Sequence, residues 1–198
     1  MDLPSRDGAA KAIALAAAIA LALPAVRHGL EIDMARHMLL EFPAVVAIGA
    51  VAGGAAPRIG AAFGRYDRLG LTGWLLASLV LGYWMIPSTL DAALASPVVN
   101  AAKFISLGVA GFALRAAWQR SPTAVEAFFV GNFAWMAATV GLLYQDAQAQ
   151  LCLNYLADGQ QRAGRGLVAA AICAGVAWLV ARRRRVGLAD SPRRRYAD

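Results

Sequence analysis

The chain has 198 residues, of which 60% are hydrophobic and only 16% are charged, and its mean hydropathy is +0.54. Soluble domains are about 45–50% apolar and about 25% charged, so this composition excludes an ordinary soluble domain and predicts a membrane protein. The net charge of +7 does not indicate nucleic acid binding, because the arginines lie outside the apolar runs and crowd the C-terminus. Two cysteines are too few for a disulfide framework.

Six apolar segments reach the length of about 17–25 residues that a membrane helix needs. We therefore expect an all-α, polytopic integral membrane bundle of six helices in one domain, residues 1–181, followed by a basic tail, 182–198. The first segment has a signal peptide as its alternative, but a poor cleavage site at Leu23-Pro24-Ala25 favours a retained helix. The six predicted helices are about 9–26, 32–56, 69–86, 98–118, 121–144 and 164–181.

The connections between these helices carry further expectations. Proline lacks a backbone donor, so Pro43 is expected to kink the second helix. Residues 88–97 and 145–161 are predicted to be loops, and the run Arg182-Arg183-Arg184-Arg185 is expected to end the last helix.

The distribution of arginine predicts how the bundle is oriented. Most arginines fall in the N-terminus, the 57–68 loop, the loop at Arg120 and the tail, which predicts that both termini are cytoplasmic. The stretch 27–43, the loop with Asp91 and the loop with Cys152 then share the opposite face.

The stretch 27–43 is the strongest candidate site, because it holds both histidines of the chain. Asp33 precedes His37 by one helical turn, and thioether and imidazole groups together suit copper. Met85 or Cys152 would supply a second donor on the same side. The alternative is a solvated helix end whose methionines only pack. If this stretch is helical, four candidate ligands at positions i, i+3, i+4 and i+7 share one face of the helix: Met34, His37, Met38 and Glu41.

A buried ion pair is the second candidate. Glu41 and Lys103 enter the membrane from the same side, about two turns and one turn deep, and charges at that depth need a partner. The pair is either a proton or ion relay or a structural pair that fixes helix register. Asn132 would join this network or bond a neighbouring helix.

Three short elements of the chain resemble the CtaG family of cytochrome c oxidase assembly factors. Asp33-Met34-Ala35-Arg36-His37 is similar to the family's H-M-x-x-H, and Trp84-Met85-Ile86-Pro87 before Asp91 is similar to its W-x-x-P before an acidic loop. The third element of the chain, Asp158–Gly164, is similar to the family's D-x-Q-x-x-G before the last helix. The resemblance implies a non-enzymatic protein of the bacterial inner membrane that assists the assembly or copper maturation of a respiratory heme–copper oxidase, with oxidase subunits and the lipid bilayer as partners.

Departures from the family pattern limit what the resemblance implies. Asp33 stands where the first histidine would be, and Asn100 and Phe104 stand where a later histidine pair would be. Only His37 carries over as a copper ligand, with Met34, Met38 and Asp33 as its neighbours. An accessory subunit of a membrane respiratory complex without its own metal is therefore the alternative, and a small transporter gated by Glu41 and Lys103 is a third hypothesis. The sequence contains no hydrolase, P-loop, dinucleotide or zinc-protease motif, so an enzyme is not expected.

Overall fold

The structure, a computed structural model, describes residues 6–56, 67–147, 155 and 157–189. All regular secondary structure in these residues is helical, which confirms the predicted all-α class. The helices are α1 (Arg6–Ala22), α2 (Pro24–Glu31), α3 (Met34–Ala55), α4 (Leu71–Trp84), α5 (Pro87–Ala95), α6 (Pro97–Trp118), α7 (Thr123–Asp146) and α8 (Ala157–Ala189).

Four of these helices, α3, α6, α7 and α8, are long and apolar enough to cross a membrane by themselves. Two further pairs meet the same requirement together but are bent, α1 with α2 by 81° and α4 with α5 by 75°. The described residues thus contain four to six candidate spans, and the predicted helical membrane bundle is confirmed.

The segment 88–97 is mostly helical, so the predicted loop there is wrong. Residues 87–95 form α5, which turns sharply away from α4. Pro87 occupies the first turn of α5, where its missing N–H breaks no helical bond, and it holds Ile86 in an extended conformation. The same proline that ends one helix therefore starts the next.

The last helix is longer at both ends than its apolar core predicts. α8 begins at Ala157, inside the expected loop, and continues through Arg182–Arg185 to Ala189, so the expected stop at Arg182 is wrong. Arginine is a good helix former, and its charge does not end a helix that has left the apolar layer. Residues 190–198 of the predicted tail lie outside the described part of the chain.

A wide helical turn precedes Pro43 in α3. Residues His37–Glu41 are π-helical, and the Phe42 N–H donates to the His37 carbonyl five residues back. Pro43 has no N–H to donate to Leu39, and its ring crowds that carbonyl. The wider turn accommodates both effects and also sets the side chains of His37 and Glu41 at the head of the helix.

Glycines bring the helices into close contact. A Cβ at Gly49 of α3 would collide with the Gly108 carbonyl of α6, and one at Gly111 would collide with the Val46 carbonyl. Small residues thus allow the backbones of α3 and α6 to approach closely. A Cβ at Gly141 of α7 would lie 2.6 Å from a carbonyl oxygen of α8. The helices α3, α4 and α6 form one layer, with α1 packed on α3 and α5 packed on α6, and α7 and α8 form a second layer.

Buried charges lie at the two opposite ends of the bundle. We call the end that carries Glu31, His37 and Lys103 the cluster end, and the end that carries Glu126 and Arg182 the arginine end. The stretch 27–43 and the start of α8 meet at the cluster end, as the topology predicts. Which end faces the cytoplasm stays a prediction.

Candidate functional site

A sharp break between α2 and α3 builds the cluster end. α2 ends at Glu31, and Asp33 caps the next helix by accepting hydrogen bonds from the backbone N–H groups of Ala35 and Arg36 at 3.0 and 3.2 Å. Such a side-chain cap satisfies donors that the first helical turn leaves free. The break turns the Glu31 carboxylate toward the head of α3, where His37 and Glu41 follow.

Lys103, from the second turn of α6, lies at the centre of the site. Its Nζ is 2.5 Å from Oε1 of Glu41, 2.7 Å from Nε2 of His37 and 3.1 Å from Oε1 of Glu31. The side chains of Lys103, His37 and Glu41 are fully buried, and that of Glu31 is 10% exposed. The ammonium group donates to Glu31 and His37 and forms an ion pair with Glu41, so the predicted Glu41–Lys103 ion pair is part of a larger cluster.

The ammonium group also determines the tautomer of His37. Because Lys103 can only donate, Nε2 of His37 accepts, and Nδ1 of the neutral ring carries the proton. Nδ1 lies 2.5 Å from the hydroxyl oxygen of Tyr155, to which it therefore donates. Both ring nitrogens are thus engaged, and the ring is held between α6 and the residue that leads into α8.

The charges in the cluster balance. Glu31 accepts a hydrogen bond from Asn100 at 2.8 Å and lies 3.9 Å from Arg27, one turn earlier on α2. Two carboxylates thus face two cations, with His37 neutral. Neither oxygen of Glu41 accepts a hydrogen bond, so its compensation comes from the ion pair with Lys103 alone.

A metal ion does not fit this arrangement. Ligand atoms of Glu31, His37 and Glu41 lie within 4.8 Å of one another, close enough for one ion. A metal would lie about 2.0–2.2 Å from each of them, which is the space that Lys103 Nζ occupies. A divalent ion would also add two positive charges to a cluster that is already neutral.

The predicted metal ligands have different partners in the structure. Met34 and Met38 are buried in the apolar core, and the Asp33 carboxylate pairs with Arg162 of α8 at 2.7 Å. Asp33 does not belong to the group of three ligand atoms around Lys103. Of the four residues predicted to hold copper, only His37 lies in the cluster.

The other residues predicted to contribute to the site do not belong to the Lys103 cluster. Asn132 is exposed on α7, so the first alternative predicted for it, a place in the network, is wrong, and a bond to a neighbouring helix stays a prediction. The Met85 carbonyl accepts a hydrogen bond from the Tyr144 hydroxyl at 2.5 Å, which ties α4 to α7. Cys152 lies outside the described residues, and Cys173 is exposed on α8.

Three members of the cluster were not predicted: Glu31, Asn100 as a partner of Glu31, and Tyr155. The i, i+4 spacing of Arg27 and Glu31 was a usable signal for an anchored carboxylate. Tyr155 contacts His37 across 118 residues of sequence, and nothing in its own neighbourhood marks it.

A second buried ion pair, also unpredicted, lies at the arginine end. The Glu126 side chain is 2% exposed, lies 3.3 Å from Nε of Arg182 and accepts a hydrogen bond from the Trp178 indole at 3.1 Å. Arg182 also donates to the Thr123 hydroxyl. These contacts join the start of α7 to the second half of α8.

No protein family, curated protein or solved structure matches the chain. The resemblance of its three short elements to the CtaG family therefore stays an expectation from sequence.

Proposed function

We propose that the protein is an assembly or accessory factor of a respiratory heme–copper oxidase in a bacterial inner membrane, and that it works without holding a metal of its own. The resemblance to CtaG proteins supports the class of partner. The observation that carries the metal-free mode of action is the Lys103 ammonium group. It lies among the ligand atoms of Glu31, His37 and Glu41, the one group of three His, Cys, Asp or Glu ligands found in the described residues.

The cluster suits a structural role at the cluster end of the bundle. It joins α2, α3 and α6 to Tyr155, and the adjacent Asp33–Arg162 pair joins α3 to α8. Buried, hydrogen-bonded ionic groups fix which helix faces meet, because a wrong register leaves a charge unpaired in the membrane. A rigid end of this kind gives a partner subunit a defined surface to bind.

Transport has less support because the polar groups do not continue through the bundle. Among the described buried residues, the polar ones lie at the cluster end, with Glu126 the exception at the other end. The buried residues between them are apolar, including Phe42, Val45 and Leu107. A proton or ion that enters the cluster finds no buried polar neighbour on the way to Glu126.

Purification from native membranes tests the proposal. The tagged protein is isolated in a mild detergent, its partners are identified by mass spectrometry, and copper and zinc are measured in the same sample. We expect oxidase subunits or assembly intermediates without a stoichiometric metal bound to this chain. Recovery of the protein alone or with an unrelated complex refutes the partner, and one metal per chain refutes the mode of action.

Copper maturation is the second candidate function, because the spacing of Glu31, His37 and Glu41 would suit an ion if Lys103 moved away. His37 would then act with Met34, Met38 or Asp33 as further donors. This candidate predicts Cu(I) binding to the purified protein that disappears in His37→Ala. Equal copper content in both proteins eliminates it.

A further inference from the structure

A long apolar slot separates the two layers of the bundle. It has a volume of about 620 Å³ and is bordered by α3, α4 and α6 on one side and by α7 and α8 on the other. None of its lining residues is charged. The lining of α8 extends from Leu167 to Ala181, which corresponds to about 21 Å along a helix.

The shape of the slot limits what fills it. A volume of about 620 Å³ over about 21 Å gives a mean cross-section of about 30 Å². The length and the apolar lining of the slot match a single extended hydrocarbon chain.

One end of the slot reaches a strongly basic surface. Trp178 and Ala181 line the slot, and Arg182 and Arg183 follow directly on α8. Tryptophans near this end suit the interface between lipid tails and headgroups; Trp74, which stacks on Phe129 with ring centroids 5.6 Å apart, is one of them. Described residues at this end include five arginines and two carboxylates: Arg68, Arg115, Arg120, Arg182 and Arg183, with Asp67 and Glu126.

We propose that the slot binds one acyl chain of an anionic phospholipid from the leaflet at the arginine end, with the phosphate at Arg182 and Arg183. The apolar lining receives the chain, and the excess of arginine selects a negatively charged headgroup over a zwitterionic one. Arg182 keeps its pairing with Glu126 and is still 23% exposed, and Arg183 is exposed. The lipid fills the gap between the two helix layers and so becomes part of the packed bundle.

Tryptophan quenching by brominated lipids tests this proposal. Trp135 is 76% exposed and would report any surrounding lipid, so the experiment uses a Trp135→Phe background. The protein is reconstituted in phosphatidylcholine vesicles with increasing fractions of brominated phosphatidylglycerol or brominated phosphatidylcholine. We expect half-maximal quenching at a roughly five-fold lower fraction of the anionic lipid, which corresponds to about 1 kcal/mol for one basic residue near the headgroup.

Matched substitutions locate the lipid. Ala174 lines the slot, and Ala169 is exposed on α8 away from it. Ala174→Phe should abolish the preference for phosphatidylglycerol, and Ala169→Phe should keep it. If Ala174→Phe does not elute at the position of the wild type in size-exclusion chromatography, Ala170→Phe, which also changes the lining, repeats the test. Arg183→Gln should reduce the preference severalfold.

Three results would overturn the proposal. These are equal quenching by the two lipids, identical behaviour of Ala174→Phe and Ala169→Phe, and a protein dimer in native mass spectrometry that carries no phospholipid. The outcome is separate from the metal-free function proposed above, because none of these residues belongs to the Lys103 cluster.

Discussion

Replacing Lys103 by methionine tests the energetic role of the cluster. Methionine keeps the length and apolar stem of lysine but removes the ammonium group that compensates Glu41. Removing one partner of a buried ion pair costs about 3–5 kcal/mol, because the remaining charge stays buried without compensation. For a chain of this size each kcal/mol lowers Tm by about 2–4 °C, so we expect Lys103→Met to lower Tm by roughly 6–20 °C.

Two further variants make the result specific, with thermal unfolding followed by circular dichroism in detergent. Lys11 is exposed on α1, so Lys11→Met should leave Tm nearly unchanged. The double variant Lys103→Met/Glu41→Gln removes both charges and should recover a large part of the loss, since an uncharged pair of similar volume can replace a buried ion pair at little cost. The reasoning is refuted if Lys103→Met unfolds at the temperature of Lys11→Met, or if Glu41→Gln adds its own full loss in the double variant.

Two other comparisons of matched variants use the same unfolding assay. Gly49→Ala places a Cβ against the Gly108 carbonyl and should lower the free energy of unfolding by about 1–3 kcal/mol. The Cβ of Gly108→Ala meets nothing within 4 Å, so this variant should be neutral or up to about 1 kcal/mol more stable than the wild type. If Gly108→Ala were the more destabilised variant, α3 and α6 would pack through other faces. Asp33→Ala removes a helix cap as well as an ion pair and should lower the free energy of unfolding by about 0.5–2 kcal/mol. Arg162→Gln removes only the ion pair, and because the Arg162 side chain is 62% exposed the loss should be less than about 1 kcal/mol. Equal losses at Asp33 and Arg162 would show that the cap contributes nothing.

The helices with long apolar runs were predictable from the sequence because a membrane span needs only length and hydrophobicity. The Glu41–Lys103 pair was predictable for a related reason, since two opposite charges at similar depth and on the same side have to meet. The ends of the helices were not, because arginine and glutamine are good helix formers outside the membrane as well. Those preferences explain why α8 extends beyond both predicted boundaries.

The rest of the candidate site depended on tertiary structure. Glu31 reaches Lys103 only because the chain breaks between α2 and α3, and a break of this kind leaves no periodic signal. A helical face drawn for Met34, His37 and Met38 assumed a regular α-helix, whereas the turn at His37 is π-helical. The thioethers therefore pack in the core while the imidazole joins the ion cluster.

Metal analysis of the wild type and of Lys103→Ala tests the central claim most directly. If the ammonium group takes the place of a metal, the wild type should bind no stoichiometric copper or zinc after incubation and desalting. Lys103→Ala vacates the space among the ligand atoms of Glu31, His37 and Glu41 and should gain zinc binding that His37→Ala removes again. One equivalent of copper bound to the wild type and lost in His37→Ala would contradict the account.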